Sequence, residues 1–342
     1  MVTGNATTRF DNVAMLSVAS TLPSAVVTSV EIEEGLAAAM KRARLPKGIL
    51  RRVAGVVERR HWGPGENSDD ATVSAGRRAL AEAGISPSQI GLMINTSVTR
   101  QHLEPSVAVR IHDGLGLPSS AINFDIANAC LGFVTGMTMA AAMIESGQIE
   151  YALIVNGEDA SEVHANTIER LSGSTIDRDD FMSEFASLTL GSGAAAAVIG
   201  PADRHPEGHR ILGGVTRAAT EFNHLCVGSV DGMFTDARAL LKGGLDLVVS
   251  AWKEAAGDSW RWSKMDRYIT HQVSSIHTDS MVKAASLDRS RVPVTYPYLG
   301  NVGPASIPIT LADQQSTLNK GDRVLLMGVG SGLNTGLMEL AW

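Results

Sequence analysis

A chain of 342 residues, 44% of them hydrophobic, can build one large layered domain or two of ordinary size. Aromatics make up 5% while glycine occurs 34 times, which suits closely packed small aliphatic residues and argues against an aromatic-rich binding scaffold. A net charge of −7 excludes a general attraction for nucleic acid or an anionic membrane, and two cysteines 96 positions apart exclude a disulfide framework and a metal-ligand pair.

The N-terminal segment MVTGNATTRFDN lacks the basic start and apolar core of a signal peptide, and the cysteine usage points to a reducing cytoplasm. Val13–Ser20 reads as a strand. The basic run Lys41–Arg52 departs from the acidic balance. It reads as a solvated helix end, or as a docking patch for a phosphorylated carrier such as coenzyme A or an acyl carrier protein. Ser68–Gly84 predicts a helix with an acidic first turn and a glycine stop. Ile90–Val98 predicts a buried strand, and a helix follows near Ser106–Gly114. AINFDIA is a further strand, Leu131–Ser146 a helix and Tyr151–Gly157 a strand. The alternation predicts an α/β fold with buried, largely parallel strands. Ala127–Ile144 is uncharged, yet Asn128, two glycines and two threonines make it a poor membrane span and a better buried helix.

Residues 158–185 break the rhythm and read as an inserted cap with helical pieces. Ser187–Gly200 returns as a strand with a glycine kink. Pro201–His209, rich in Pro, Gly and charge, marks a boundary between halves spanning 1–203 and 204–342. The second half repeats the order of the first. RILGGVTRAA opens it as a strand, a helix covers about Asp236–Ala256, and DRYITHQVS is a strand with a helix near Thr278–Ala285 behind it. VPVTYPYLGN, a helix from about Pro304 and the strand DRVLLMGVGSGL complete it. LMINTSV aligns with RYITHQV, and YALIVNGE falls near VLLMGVGS. An internal duplication of one α/β unit follows from this pattern.

In sheets of this kind functional residues collect beyond the C-terminal strand ends. Three candidates lie there. Cys130 follows AINFDIA and opens a helix, His271 ends the strand 267–270, and Asn301 follows VTYPYLG. A helix N-terminus favours a thiolate, whose pKa in such surroundings falls from about 8.5 to roughly 3.5–7.5. Cys130 therefore reads as a nucleophile, or as a small core residue. His271 reads equally as a hydrogen-bonded core histidine, and Asn301 as a turn residue. Cys226 has no helix-start context and reads as packing. GSGAAA (Gly191–Ala196) loosely follows a dinucleotide fingerprint, but Ala replaces the third glycine, and close packing at a strand bend accounts for it better.

Taken together, ANACLGF, THQVS and GNVGPAS resemble the Cys-His-Asn motifs of the thiolase superfamily, in its ketoacyl-synthase-III-like branch. ERRHW…NSDDAT, LTLGSGAAAAVI and GVGSGLN resemble the same branch, over nearly the whole chain. INTSVTRQHLEPSVA, FDIANACLGF and GNVGPASIPI are similar to those members that condense two fatty acyl-CoA molecules head to head in bacterial olefin biosynthesis. The resemblance implies two fused βαβαβαββ halves in a five-layer αβαβα sandwich, a homodimer and no cofactor. It implies that Cys130 takes the first acyl group while His271 and Asn301 assist at the thioesters. The backbone N–H groups of Cys130 and Ser331 would form an oxyanion hole. Glu104, set before Pro105 in a loop, would be the base that removes the α-proton, reaching into the partner subunit's site; an apolar channel there would raise its pKa. Read from the residues alone, Glu104 is equally an exposed loop carboxylate, and His271 is the other candidate base. Two other functions share the core set: a decarboxylative 3-oxoacyl-(acyl carrier protein) synthase III, and a thioesterase-like or acyl-binding member. Downstream olefin-pathway enzymes would be further partners.

Overall fold

The computed structural model describes residues 7–100, 103–173, 175–229, 232–257 and 260–342. The first six residues of the segment read for a leader lie outside them. Residues up to 201 supply strands β1 (Val13–Thr21), β2 (Ile90–Asn95), β3 (Ile122–Asp125), β4 (Tyr151–Glu158) and β5 (Gly193–Pro201). They also supply helices α1 (Ser68–Ala83), α2 (Val107–Leu115), α3 (Gly132–Glu145), α4 (Ser161–Ser172) and α5 (Arg178–Glu184). Beyond them come β6 (His209–Ala218), α6 (Ala237–Gly257), β7 (Arg267–Thr270), α7 (Ser275–Ala284), α8 (Ser306–Gln314), β8 (Arg323–Gly330) and β9 (Asn334–Ala341).

The strands run in the order β7-β8-β9-β6-β1-β5-β4-β2-β3. The run β2-β4-β5-β1 has one parallel and two antiparallel pairings, and β7-β8-β9-β6 repeats them in the same sequence. The duplication seen in the residue pattern is thus present in strand order and polarity. The two runs join at Ala14–Arg210 and Met15–His209. β3 has no counterpart, because VPVTYPYLG is not a strand: Tyr296–Leu299 forms one helical turn instead. Pro293 and Pro297 lack the N–H that a central ladder needs, so this apolar run leaves the sheet.

Five layers result. Helices α3 and α8 lie between the two runs, each touching strands of both. Helices α1 and α2 cover the outer face of one run and α6 that of the other. Phe133, Met137, Ile154, Ile307 and Leu326 lie in the central core. Ala194 to Ala197 of β5 are completely buried because helices press on both faces, so only small side chains fit. Helix α1 starts where the Asn67 side chain accepts a hydrogen bond from the Asp70 N–H at 2.8 Å, and stops at Gly84 in the left-handed conformation.

The helices α4 and α5 do not pack alone. Leu171, Phe181 and Phe185 share a core with Ile32, Leu36 and Leu50, so Leu50 of the basic run read as solvated is buried instead. Arg42 of the basic run donates to the carbonyls of Ser172 and Gly173 at the end of α4, so part of that run is structural. Arg59 is fully buried beside this core. Its guanidinium donates to the Leu188 carbonyl at 2.8 Å and to Ser29 Oγ at 3.1 Å. Burial lowers its pKa to about 10, which leaves it charged at neutral pH. Arg59→Ala removes these donors and leaves buried acceptors unmatched, so urea unfolding should show a loss of about 2 kcal/mol or more.

Candidate active site

Between β3 and α3 the chain makes one tight turn, Ala129–Leu131, which carries Cys130. Ala129 has φ of +44°, a left-handed conformation that costs an L residue with a Cβ about 1–2 kcal/mol. The surroundings hold it there. A Cβ on Gly330 would lie 2.9 Å from the Asn128 carbonyl oxygen. One on Gly132 would lie 3.0 Å from the Thr96 carbonyl oxygen and 3.7 Å from Pro304 Cβ. The end of β8, the end of β2 and the segment after Asn301 therefore converge on this turn. Asn334 Nδ2 donates to Asn128 Oδ1 at 3.1 Å, and Asn128 Nδ2 donates to Thr135 Oγ1 at 2.9 Å, tying the turn to β9 and α3.

The thiol does not follow the electrostatic expectation. Burial pushes the Cys130 pKa up to about 12, and the negative charge available to Cys226 and Glu158 adds to the rise. The cysteine's own backbone N–H pulls the other way and loses. Desolvation outweighs the helix start because a thiolate in an apolar setting gives up its water shell. At rest Cys130 is a neutral thiol.

His271 follows the last residue of β7, and its backbone N–H donates to Met327 of β8 at 2.9 Å. It is buried, with 2% exposure, and its Nδ1 has no hydrogen-bond partner among the described residues. Burial, with a smaller contribution from His277, lowers its pKa to about 3, so the ring is neutral throughout the physiological range. The next residue, Gln272, is fully buried. Its Oε1 accepts from the Thr295 N–H at 2.8 Å and its Nε2 donates to the Thr270 carbonyl at 3.0 Å. It links the strand end of His271 to the segment leading to Asn301.

Asn301 sits in a loop pinned to residues 189–191. Its N–H donates to the Thr189 carbonyl, and its carbonyl accepts from the Gly191 N–H, both at 2.9 Å. Its side-chain Oδ1 accepts from the Gly303 N–H at 3.0 Å. A Cβ at Gly191 would overlap the Leu299 carbonyl oxygen, so the GSG sequence serves close backbone approach, as expected. The turn Gly303–Ala305 behind Asn301 packs on the Cys130 turn.

Ser331 lies in the β8–β9 turn directly after Gly330, the residue that abuts Asn128 and Ala129. Glu104 stands apart. It is exposed on the loop between β2 and α2, and among the described residues it forms no hydrogen bond or ion pair. Two residues near Cys130 escaped the sequence reading. Cys226, read as packing, is half-buried, 3.6 Å from Thr235 Oγ1 and within electrostatic range of Cys130. Glu158 is 3% exposed at the end of β4, and a Cβ on Gly303 would lie 3.7 Å from its carboxyl carbon. Its position at a strand end was the available signal.

The family model for 3-oxoacyl-(acyl-carrier-protein, ACP) synthase III matches residues 124–219, and that for its C-terminal part matches residues 256–342. The chain is 42% identical to an acyl-CoA:acyl-CoA alkyltransferase of Xanthomonas campestris, covering 97% of this chain and 99% of that protein. It is 32% identical to an acyl-CoA:acyl-CoA alkyltransferase of Shewanella oneidensis, over 98% of this chain and 100% of the relative. A crystal structure of Xanthomonas campestris OleA with bound lauric acid and lauroyl-CoA superposes with a TM-score of 0.94 at 41% identity, covering 97% of this chain and 100% of that one.

The tight contact between Gly191 and Leu299 gives a direct test of what holds Asn301. Gly191→Ala forces two backbone segments apart and should destabilise the protein by about 1–3 kcal/mol in urea unfolding. A change within experimental error would mean that this contact does not set the loop.

Proposed function

The chain belongs to the 3-oxoacyl-(acyl-carrier-protein) synthase III family of the thiolase superfamily, and from that membership we propose that it is an acyltransferase joining two long-chain fatty acyl-CoA molecules head to head without decarboxylation. The observation that carries this reading is the near-complete span of likeness to two acyl-CoA:acyl-CoA alkyltransferases. The product would be a 2-alkyl-3-ketoacyl thioester that hydrolysis converts to the β-keto acid, a precursor for long-chain olefins that downstream enzymes would consume. The halves 1–203 and 204–342, with a cap over about 158–185, belong to the same reading.

Cys130 Sγ attacks the thioester carbon of the first acyl-CoA. The new S–C bond replaces the bond to the coenzyme A sulfur, and the thiol proton passes by way of neutral His271 to the departing thiolate. The backbone N–H groups of Cys130 and Ser331 stabilise the oxyanion. His271 and Asn301 then hydrogen-bond the carbonyl of the second thioester as its α-proton leaves. Glu104 takes that proton, the role that the family resemblance gives it, which leaves His271 to serve the carbonyl. The resulting carbanion attacks the acyl-Cys130 carbonyl, forms the C–C bond and expels the cysteine sulfur, which regains a proton. Exposure of Glu104 within the protomer supports its acting across a homodimer, in the partner subunit's site. Edge strand β3, with exposed Ile122, and nearby exposed Val98 and Leu103 supply apolar surface for that dimer.

Purified protein given myristoyl-CoA alone should release coenzyme A and yield the long-chain ketone derived from the β-keto acid; strict dependence on a malonyl donor would overturn the reading. Glu104→Ala should still acylate Cys130 while losing condensation. Co-expressed Cys130→Ala and Glu104→Ala chains should recover about a quarter of the wild-type condensation, since half the dimers are mixed and each holds one complete site.

The pH dependence follows from the two displaced pKa values. His271 gains a proton only as pH falls towards 3, and Cys130 loses one only as pH rises towards 12. Single-turnover acylation of Cys130 should therefore stay flat, within about twofold, between roughly pH 6 and pH 9. A tenfold rise per pH unit across that window would indicate a free thiol titrating there.

A further inference from the structure

Among the described residues between β2 and α2, Glu104 included, none belongs to a helix or strand. A general base must sit within hydrogen-bond reach of its proton, so a loop that wandered would be a poor carrier for one. Each end of this loop is held by a carboxylate. At the first end, Glu158 Oε1 accepts from the Val98 N–H at 2.9 Å, and Oε2 accepts from the Thr99 N–H at 3.0 Å and from Thr99 Oγ1 at 2.7 Å. Asn156 Nδ2 adds a donor to Oε1 at 3.1 Å. At the second end, Asp125 accepts from the Val107 N–H at 3.1 Å and from the Ala108 N–H at 2.9 Å. Arg100 reaches Asp125 at 3.6 Å and joins the two ends. Between the clamps, Leu103 is 96% exposed and Glu104 is exposed too.

The chemistry suits this duty. Buried carboxylates are costly unless hydrogen-bonded, and Glu158 has its two oxygens occupied by loop donors and Asn156. The same carboxylate lies beside Gly303, whose N–H holds the Asn301 side chain. One buried side chain thus abuts both the turn of Asn301 and the root of the Glu104 loop.

We propose that Glu158, together with Asp125, is a positioning residue that fixes the chain on either side of Glu104, at Val98–Arg100 and at Val107–Ala108, so that Glu104 projects from the protomer in a set direction, a role that rests on reading Glu104 as the base. The hydrogen-bond partners of Glu158 are Val98, Thr99 and Asn156, with Glu104 not among them, and loosening the loop falls on the condensation step.

Two full-length variants test it. Thr99→Val keeps the side-chain volume and removes one donor to Glu158, together with the acceptor of the Asp159 N–H. Glu158→Gln keeps the shape and turns an amide N–H₂ toward backbone donors. In Thr99→Val, acylation of Cys130 by myristoyl-CoA should stay within about threefold of wild type, and in both variants kcat for condensation should fall about tenfold or more at near-constant KM. Deuterium exchange should rise in the 97–106 segment and stay unchanged elsewhere, and Thr99→Ser should restore the rate. If Glu158→Gln does not fold, Thr99→Val decides alone. Acylation and condensation falling in parallel in Thr99→Val would overturn the clamp, as would an unchanged condensation rate. Glu104→Ala run alongside keeps the two ideas apart. Normal condensation in Glu104→Ala overturns the base and, with it, the clamp's catalytic role. Loss in Glu104→Ala with a normal rate in Thr99→Val overturns the clamp only.

Discussion

The close approach of three segments around the turn Ala129–Gly132 is the constraint on which the rest of the structure depends. The ends of β2 and β8 and the chain after Asn301 press on this turn from different sides, and Gly132 and Gly330 leave no room for a side chain. That pressure keeps Ala129 left-handed. It brings a cysteine from one half of the duplicated fold against elements of the other. The central helices α3 and α8 then grow from the same place, and their packing between the two runs of strands builds the main core. Core and candidate site share an origin: the turn that opens α3 carries Cys130, and the turn that opens α8 lies just beyond Asn301.

Burial sets the charge state there. Cys130 is held as a thiol and His271 as a neutral imidazole because both lose more by giving up water than nearby groups return. Glu104 occupies the opposite environment, exposed to water on its own protomer.

The family resemblance and the fold agree because the same glycines and small residues serve both. Ala194 to Ala197 let helices approach β5 from each face, and Gly191 lets the Asn301 loop touch the strand's beginning. Motifs that identify the family are in this sense packing requirements as well as chemical ones.

Much of this was legible in the residues alone. The strands β1, β2, β4, β7 and β8 and the helices α1, α2, α3 and α6 follow from local apolar pattern, caps and glycine stops, which act over a few residues. The positions of Cys130 and His271 beyond strand ends followed from that pattern and from the repeat, whereas Asn301 follows the helical turn Tyr296–Leu299. VPVTYPYLG misled because its apolar residues match a strand while Pro293 and Pro297 forbid the ladder. The thiolate expectation failed because a helix start is visible in a sequence and desolvation is not. Cys226 near Cys130, the shared core of α4 and α5 with residues 32–56, and the clamp of Glu158 on Val98 and Thr99 join residues tens of positions apart. Such proximity depends on how the layers close. The sequence determined the elements, the repeat and the chemical types at the strand ends; the tertiary structure decided their ionisation and their partners, because both depend on which atoms exclude water from which.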